Sequence, residues 1–148
     1  MIELIAEFLS TDLPLAKIED VLSIDIKITN PEEVISSPVS ARIVSFTGCC
    51  NSPLFKGEIV HEGADTQIVT ETATSLSARY ILKGTDFKGT PCSIFIENNG
   101  TSLSDGEIIT TPKIFTDSSS LKFLEDAKLT GTVIPADGGV KVIIKKYF

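Results

Sequence analysis

The chain has 148 residues, 42% of them hydrophobic and 22% charged, with a formal net charge of −7. That is the size and usage of one globular domain, in which folding buries roughly two-thirds of the extended chain's surface. The negative charge repels phosphate backbones and anionic lipid, which argues against nucleic-acid and membrane partners, and no apolar run approaches the roughly 18 residues that a bilayer crossing needs.

Along the chain the dominant signal has a period of two. Ile2 to Phe8 alternates, and Glu3 and Glu7 stand where a secretory signal has a basic start and an unbroken apolar stretch, so no export signal is visible. From Val21 to Thr29, Leu22, Ile24, Ile26 and Ile28 alternate with Ser23, Asp25, Lys27 and Thr29, which is a strand with one wet face. The pattern recurs at Arg42 to Thr47, Phe55 to His61, Leu76 to Leu82, Cys92 to Asn98, Lys128 to Ile134 and Val140 to Tyr147. Breakers at Asn30-Pro31, Ser37-Pro38, Asn51-Ser52-Pro53, Gly84 to Gly89, Asn99-Gly100 and Asp137-Gly138-Gly139 predict short turns, hence antiparallel neighbours. One helical turn is predicted near Ser118–Asp126, where serines cap the start and Leu121 and Leu124 share a face.

About ten strands of this kind form a sheet that must hide its edges. The reading is all-β, a single antiparallel barrel over residues 1–148, because the first and last strands both alternate and can pair to close it. Three cysteines, two of them adjacent at Cys49 and Cys50, make a poor disulfide framework and point to a reducing, cytoplasmic setting.

The candidate site lies in the hairpin after His61. With a three-residue loop at Glu71, Thr72 and Ala73, Asp65 faces Arg79 and Gln67 faces Ser77, while Leu76, Ala78, Tyr80 and Leu82 take the other face. A next turn around Phe87 then sets Phe95 opposite Arg79 and Glu97 opposite Ser77. A two-residue first loop would slip the register and send Arg79 to the face opposite Asp65. An arginine between two carboxylates in a barrel mouth offers a planar fork to a ligand carboxylate, phosphate or enolate. The alternative is that Asp65 and Arg79 form a solvated cross-strand ion pair contributing under about 1 kcal/mol.

Other chemistry is thinly supported. His61 sits near Glu58, Glu62 and Asp65, but one histidine without a Cys-x-x-Cys or His-x-x-x-His spacing gives no metal site, and no cofactor is expected. Cys92 shares the apolar face of Ile94 and Ile96, as a buried small hydrophobe does. No Gly-x-Ser-x-Gly elbow is present, and Gly84 to Thr90 reads as a glycine turn rather than a phosphate loop.

The run Phe-Lys-Gly-Glu-Ile-Val-His-Glu-Gly-Ala-Asp from Phe55, then Leu-Ser-Ala-Arg-Tyr from Leu76, Ile-Phe-Ile-Glu-Asn-Asn-Gly from Ile94 and Thr-Thr-Pro-Lys-Ile-Phe from Thr110 occur in that order. Together they resemble the family known as domain of unknown function 3237, or uncharacterised protein family 0311, from about Arg42 to the C-terminus. The resemblance implies a compact calycin-like antiparallel barrel and no established activity. Asp65, Arg79, Tyr80, Gly100, Thr111 and Pro112 fall on its motif positions. Glu62 stands where the family has a glycine and Thr66 where it has a tryptophan, which implies a more open pocket if that tryptophan lines one.

Three functional expectations follow. The first is a small-molecule-binding barrel anchored by Asp65, Arg79, Glu97 and Gln67, with Phe95 as an apolar wall. The second is an isomerase, cyclase or lyase using Asp65 or Glu97 as base and Arg79 to stabilise an oxyanion. The third is a structural or oligomeric module, and the apolar outer strands suit a homodimer.

Overall fold

A computed structural model describes residues 17–103 and 108–148, the side chain of Leu103 excepted. The strand expected at Ile2 to Phe8 lies outside the described residues. Nine strands follow in order: β1 (Ile18–Val34), β2 (Ser40–Asn51), β3 (Phe55–Ile59), β4 (Gly63–Val69), β5 (Ala73–Asp86), β6 (Pro91–Leu103), β7 (Ile109–Thr116), β8 (Lys128–Ala136) and β9 (Gly139–Tyr147). All pairings are antiparallel. Among the described residues, no helix is long and apolar enough to cross a membrane.

The sheet closes into an all-β barrel. β1 pairs with β9 on one side and β2 on the other, so the ring carries eight strand positions. β3 and β4 share one position, each lying between β2 and β5. Between Ile59, opposite Leu82, and Ala64, opposite Arg79, their side carries two more residues than β5 does. The Val60 N–H still donates to the Ile81 carbonyl at 2.8 Å, so the surplus bulges out at His61 and Glu62, where exposed His61 takes φ 57°, a left-handed conformation rare outside glycine. This explains the lone histidine as a bend in the wall.

Several strands outrun their sequence signals. Asn30-Pro31 does not end β1: a register shift between Ile28 and Asn30 precedes it, and Pro31 pairs with Val44, the kind of irregular position where strands tolerate proline. Gly84 and Asn99-Gly100 lie inside β5 and β6 rather than in turns. Gly84 pairs with Gly57, and a Cβ at Gly84 would collide with the backbone of Lys56 and Gly57, so the close approach of β3 to β5 demands glycine there. The Asp137-Gly138 turn is as predicted, with Gly138 at φ 74° between paired Ala136 and Gly139.

One end of the barrel is solid. Leu22, Ile24, Phe55, Leu82, Ile94 and Ile144 are at most 1% exposed. The predicted helical turn is a 3₁₀ turn at Lys122–Glu125, and Leu121 and Leu124 join the same core. It is tied down by Asp86, whose carboxylate accepts hydrogen bonds from the Lys88 and Thr90 amides at 2.9 and 3.1 Å and from the Ser118 hydroxyl at 2.8 Å. The Ser118 hydroxyl bond, followed by the two amides, holds the Asp86 carboxyl below its usual range.

Candidate functional site

The other end is hollow. A cavity of about 150 Å³ lies inside the barrel, walled by Val44, Phe46, Leu76, Val133, Val140 and Val142, and it reaches half-exposed Ile28. Glycine at position 63 makes room for part of this wall. A Cβ there would come within 2.5 Å of the Phe46 ring and 2.8 Å of the Tyr80 Cβ, and those two rings meet edge to face at 5.4 Å.

One turn decides which polar groups face the cavity. The Thr70 amide donates to the Ala73 carbonyl at 2.9 Å, and the Thr70 hydroxyl accepts the Ala73 amide at 3.2 Å, leaving only Glu71 and Thr72 in the loop. The three-residue loop is therefore not formed, and the register moves by one residue. Asp65 faces Ala78, Gln67 faces Leu76 and Ala64 faces Arg79. Asp65 and Gln67 thus share the interior with Leu76, Ala78 and Tyr80, and the expected pairing of Asp65 with Arg79 does not occur.

Arg79 stands outside, its side chain 55% exposed, and donates Nε–H to Glu97 Oε2 at 2.9 Å. That bond, with a second from Asn99, holds the Glu97 carboxyl below its usual range. Arg79 thus makes a solvated cross-strand pair, but with Glu97 and not with the Asp65 that the alternative reading named. The Asp86-centred turn places Phe95 opposite Ile81 rather than Arg79, and Glu97 opposite Arg79 rather than Ser77. Phe95 stacks on Phe115 at 6.0 Å over an outer groove, so it is not a cavity wall. Thr66 faces Ile43 and Ser77 on the outer side, so the residue at the family's tryptophan position does not shape this cavity.

Asp65 accepts hydrogen bonds from the Gln67 amide at 2.8 Å and the Ser77 backbone N–H at 3.0 Å. Burial nevertheless raises its carboxyl above the usual range, overcoming both bonds and the attraction of Arg42. A carboxyl raised in the folded state binds protons more tightly there than in the unfolded chain, so its charge opposes folding above the folded pKa and the penalty vanishes as pH falls. Asp65→Asn is therefore expected to be more stable than the wild type at neutral pH. The advantage should shrink as acid protonates the wild-type carboxyl, and urea midpoints measured across the acid range check it.

Sequence reasoning missed the remaining polar groups. Among the described residues, four buried side-chain atoms find no hydrogen-bond partner: Arg42 Nε, the Tyr80 hydroxyl, Asn98 Oδ1 and Thr110 Oγ1. Tyr80, Asn98 and Thr110 all line the cavity and are 4%, 5% and 3% exposed. Burial pushes the Tyr80 phenol far up, so it serves as a neutral hydrogen-bonding hydroxyl. Gly131 shelters this wall, because a Cβ there would collide with the Thr110 hydroxyl. The arginine on the Asp65 face is Arg42, two residues from Val44 on β2, where Val44 pairs with Asp65 and Arg42 with Gln67. The available signal was a polar residue in phase with an apolar face: Asn98 after Cys92, Ile94 and Ile96, and Tyr80 between Ala78 and Leu82.

No cysteine lines the cavity; all three are free thiols, Cys49 exposed and Cys50 and Cys92 buried, and burial raises the latter two above the usual thiol range.

The fold is shared with solved structures of low sequence similarity. A protein of unknown function from Clostridium acetobutylicum superimposes with a TM-score of 0.79 at 22% identity, covering 89% of this chain and 99% of that one. A beta-barrel like protein from Acinetobacter baumannii gives 0.74 at 18% identity over 91% and 98% of the two chains. An enzyme from Penicillium herquei gives 0.71 at 12% identity over 90% and 95%. No functionally curated protein matches the chain significantly. Residues 16–147 match the family described as protein of unknown function DUF3237, and the chain belongs to it.

Proposed function

We propose that the protein binds a small, largely apolar molecule carrying a hydroxyl or carbonyl group in the hollow end of the barrel. One observation carries this reading: the unpartnered Tyr80, Asn98 and Thr110 oxygens line a single apolar-walled cavity. A buried polar atom without a partner costs about 1–3 kcal/mol, and a ligand that supplies the missing donors and acceptors recovers that cost on binding. The volume of about 150 Å³ suits a body of about one ring, since an apolar cavity of roughly this size accepts benzene. Of the expected anchor residues, Asp65 and Gln67 belong to this site, while Arg79, Glu97 and Phe95 lie on the outer surface.

Methyl NMR checks the location. Titration with benzyl alcohol is expected to shift the methyl signals of Val44, Leu76, Val133 and Val140 while leaving those of Leu22 and Ile144 in place, and toluene is expected to bind more weakly. Equal shifts at both ends, or none, would sink the reading.

The raised Asp65 carboxyl favours a second reading, in which the bound molecule is also a substrate. A carboxyl held above its usual range beside the neutral Tyr80 phenol suits proton transfer of the isomerase, cyclase or lyase type, with Asp65 as the base. The Penicillium herquei structure, described as an enzyme, has this fold as well. The free thiols support a reducing compartment for the protein.

A further inference from the structure

We infer that Arg42 is the anion anchor of this cavity, so that its preferred ligand carries a carboxylate on an apolar body. The inference rests on the cavity being a binding site and adds the charge of what it takes. Phe46 and Val44 line the cavity, and alternation along β2 puts Arg42 on the same face, one step nearer the end of the strand. Asp65 lies diagonally across from it, at the kind of position where Cα atoms sit about 7–8 Å apart. The two do not close into an ion pair within 4 Å, since the described ion pairs join Arg79 to Glu97, Lys122 to Glu125, Lys141 to Asp25 and Lys145 to Asp20. Arg42 Nε is buried with no acceptor, although its register partner on β1 is Glu33.

An arginine in that state has a specific complement. Nε–H and one Nη–H form a fork that matches the two oxygens of a carboxylate. The net charge of −7 repels anions at long range, so selection of an anion must come from this local guanidinium. Gln67 from its own strand, Tyr80 from β5, Asn98 from β6 and Thr110 from β7 line the cavity with Asp65. The charge of Arg42 reaches Asp65 from β2, where Arg42 itself lines the adjoining groove with Glu32 and Glu33 of β1, and Arg42 is the one cation among these groups. A ligand carboxylate held between Arg42 and Asp65 meets like charge from Asp65 and from Glu33, the register partner of Arg42, and a proton on Asp65 removes the first of these while creating a donor toward the ligand. Binding of a carboxylate takes up that proton, whereas binding of a neutral molecule does not.

The test compares benzoate with benzyl alcohol by calorimetry on wild type, Arg42→Gln, Arg42→Lys and Asp65→Asn. Arg42→Gln is expected to weaken benzoate about tenfold or more, as loss of a hydrogen bond from a charged group does, and to leave benzyl alcohol within about twofold. Arg42→Lys, which keeps the charge without the fork, should recover part of the loss and serves if the glutamine variant does not fold. Benzoate affinity should rise as pH falls below neutrality, and Asp65→Asn should flatten that rise. Benzyl alcohol binding without benzoate binding, or a benzoate affinity indifferent to both Arg42 variants, would overturn the anchor alone. Failure of both molecules to bind wild type would overturn the cavity reading with it.

Discussion

Phe55→Ala is expected to lower the unfolding free energy by about 3–5 kcal/mol, enough to unfold much of a marginally stable domain. Phe55 is 1% exposed in the solid end and packs within the main core cluster. Its removal leaves a hole that a barrel wall locked by hydrogen bonds on both sides cannot collapse to fill. Leu76→Ala makes the contrasting variant. Leu76 lines the existing cavity and is only partly buried, so truncation enlarges a space already present and loses mainly the transfer term, about 1 kcal/mol. Urea unfolding with unchanged slopes would measure both. Equal losses would mean that the two ends are equally packed and that the hollow end is no special site.

The architecture was legible because alternation survives in single strands. Val21 to Thr29 and Val140 to Tyr147 carry clean patterns, and they pair with each other to close the ring. β7 was legible but unread: Thr110, Pro112, Ile114 and Thr116 alternate buried with exposed neighbours, yet two threonines and a proline do not look apolar. Gly84 and Gly100 read as turns because glycine usually marks one, whereas here they permit close approach between strands, which local sequence does not reveal.

The site was only half legible for a related reason. Asp65 and Gln67 were identified, but their partners depended on one residue of loop length, and the Thr70 hydroxyl closing onto Ala73 selected the shorter loop. A one-residue slip reverses the facing relation of every side chain across a hairpin, so Arg79 left the site. Arg42 replaced it from β2, a strand that pairs with β4 from its other side and more than twenty residues earlier in the chain. Nothing local to Asp65 announces that neighbour.

Tyr80→Phe separates a binding site from a structural polar cluster. The Tyr80 hydroxyl is buried and lacks a partner in the protein, so its deletion costs no internal hydrogen bond and removes a buried polar atom. Ligand-free stability should hold or rise by up to about 2 kcal/mol, the opposite of what trimming a core residue usually does. Ligand affinity should fall about tenfold through loss of the hydrogen bond. The decisive measurement is urea unfolding of wild type and Tyr80→Phe with and without a fixed excess of benzyl alcohol, because a ligand specific to the folded state adds stability that grows as the logarithm of one plus its concentration over its Kd. The expected result is a variant at least as stable as wild type when empty and much less stabilised by the ligand. A variant that is less stable when empty, yet stabilised by benzyl alcohol as fully as wild type, would contradict the assignment of the hollow end as the binding site.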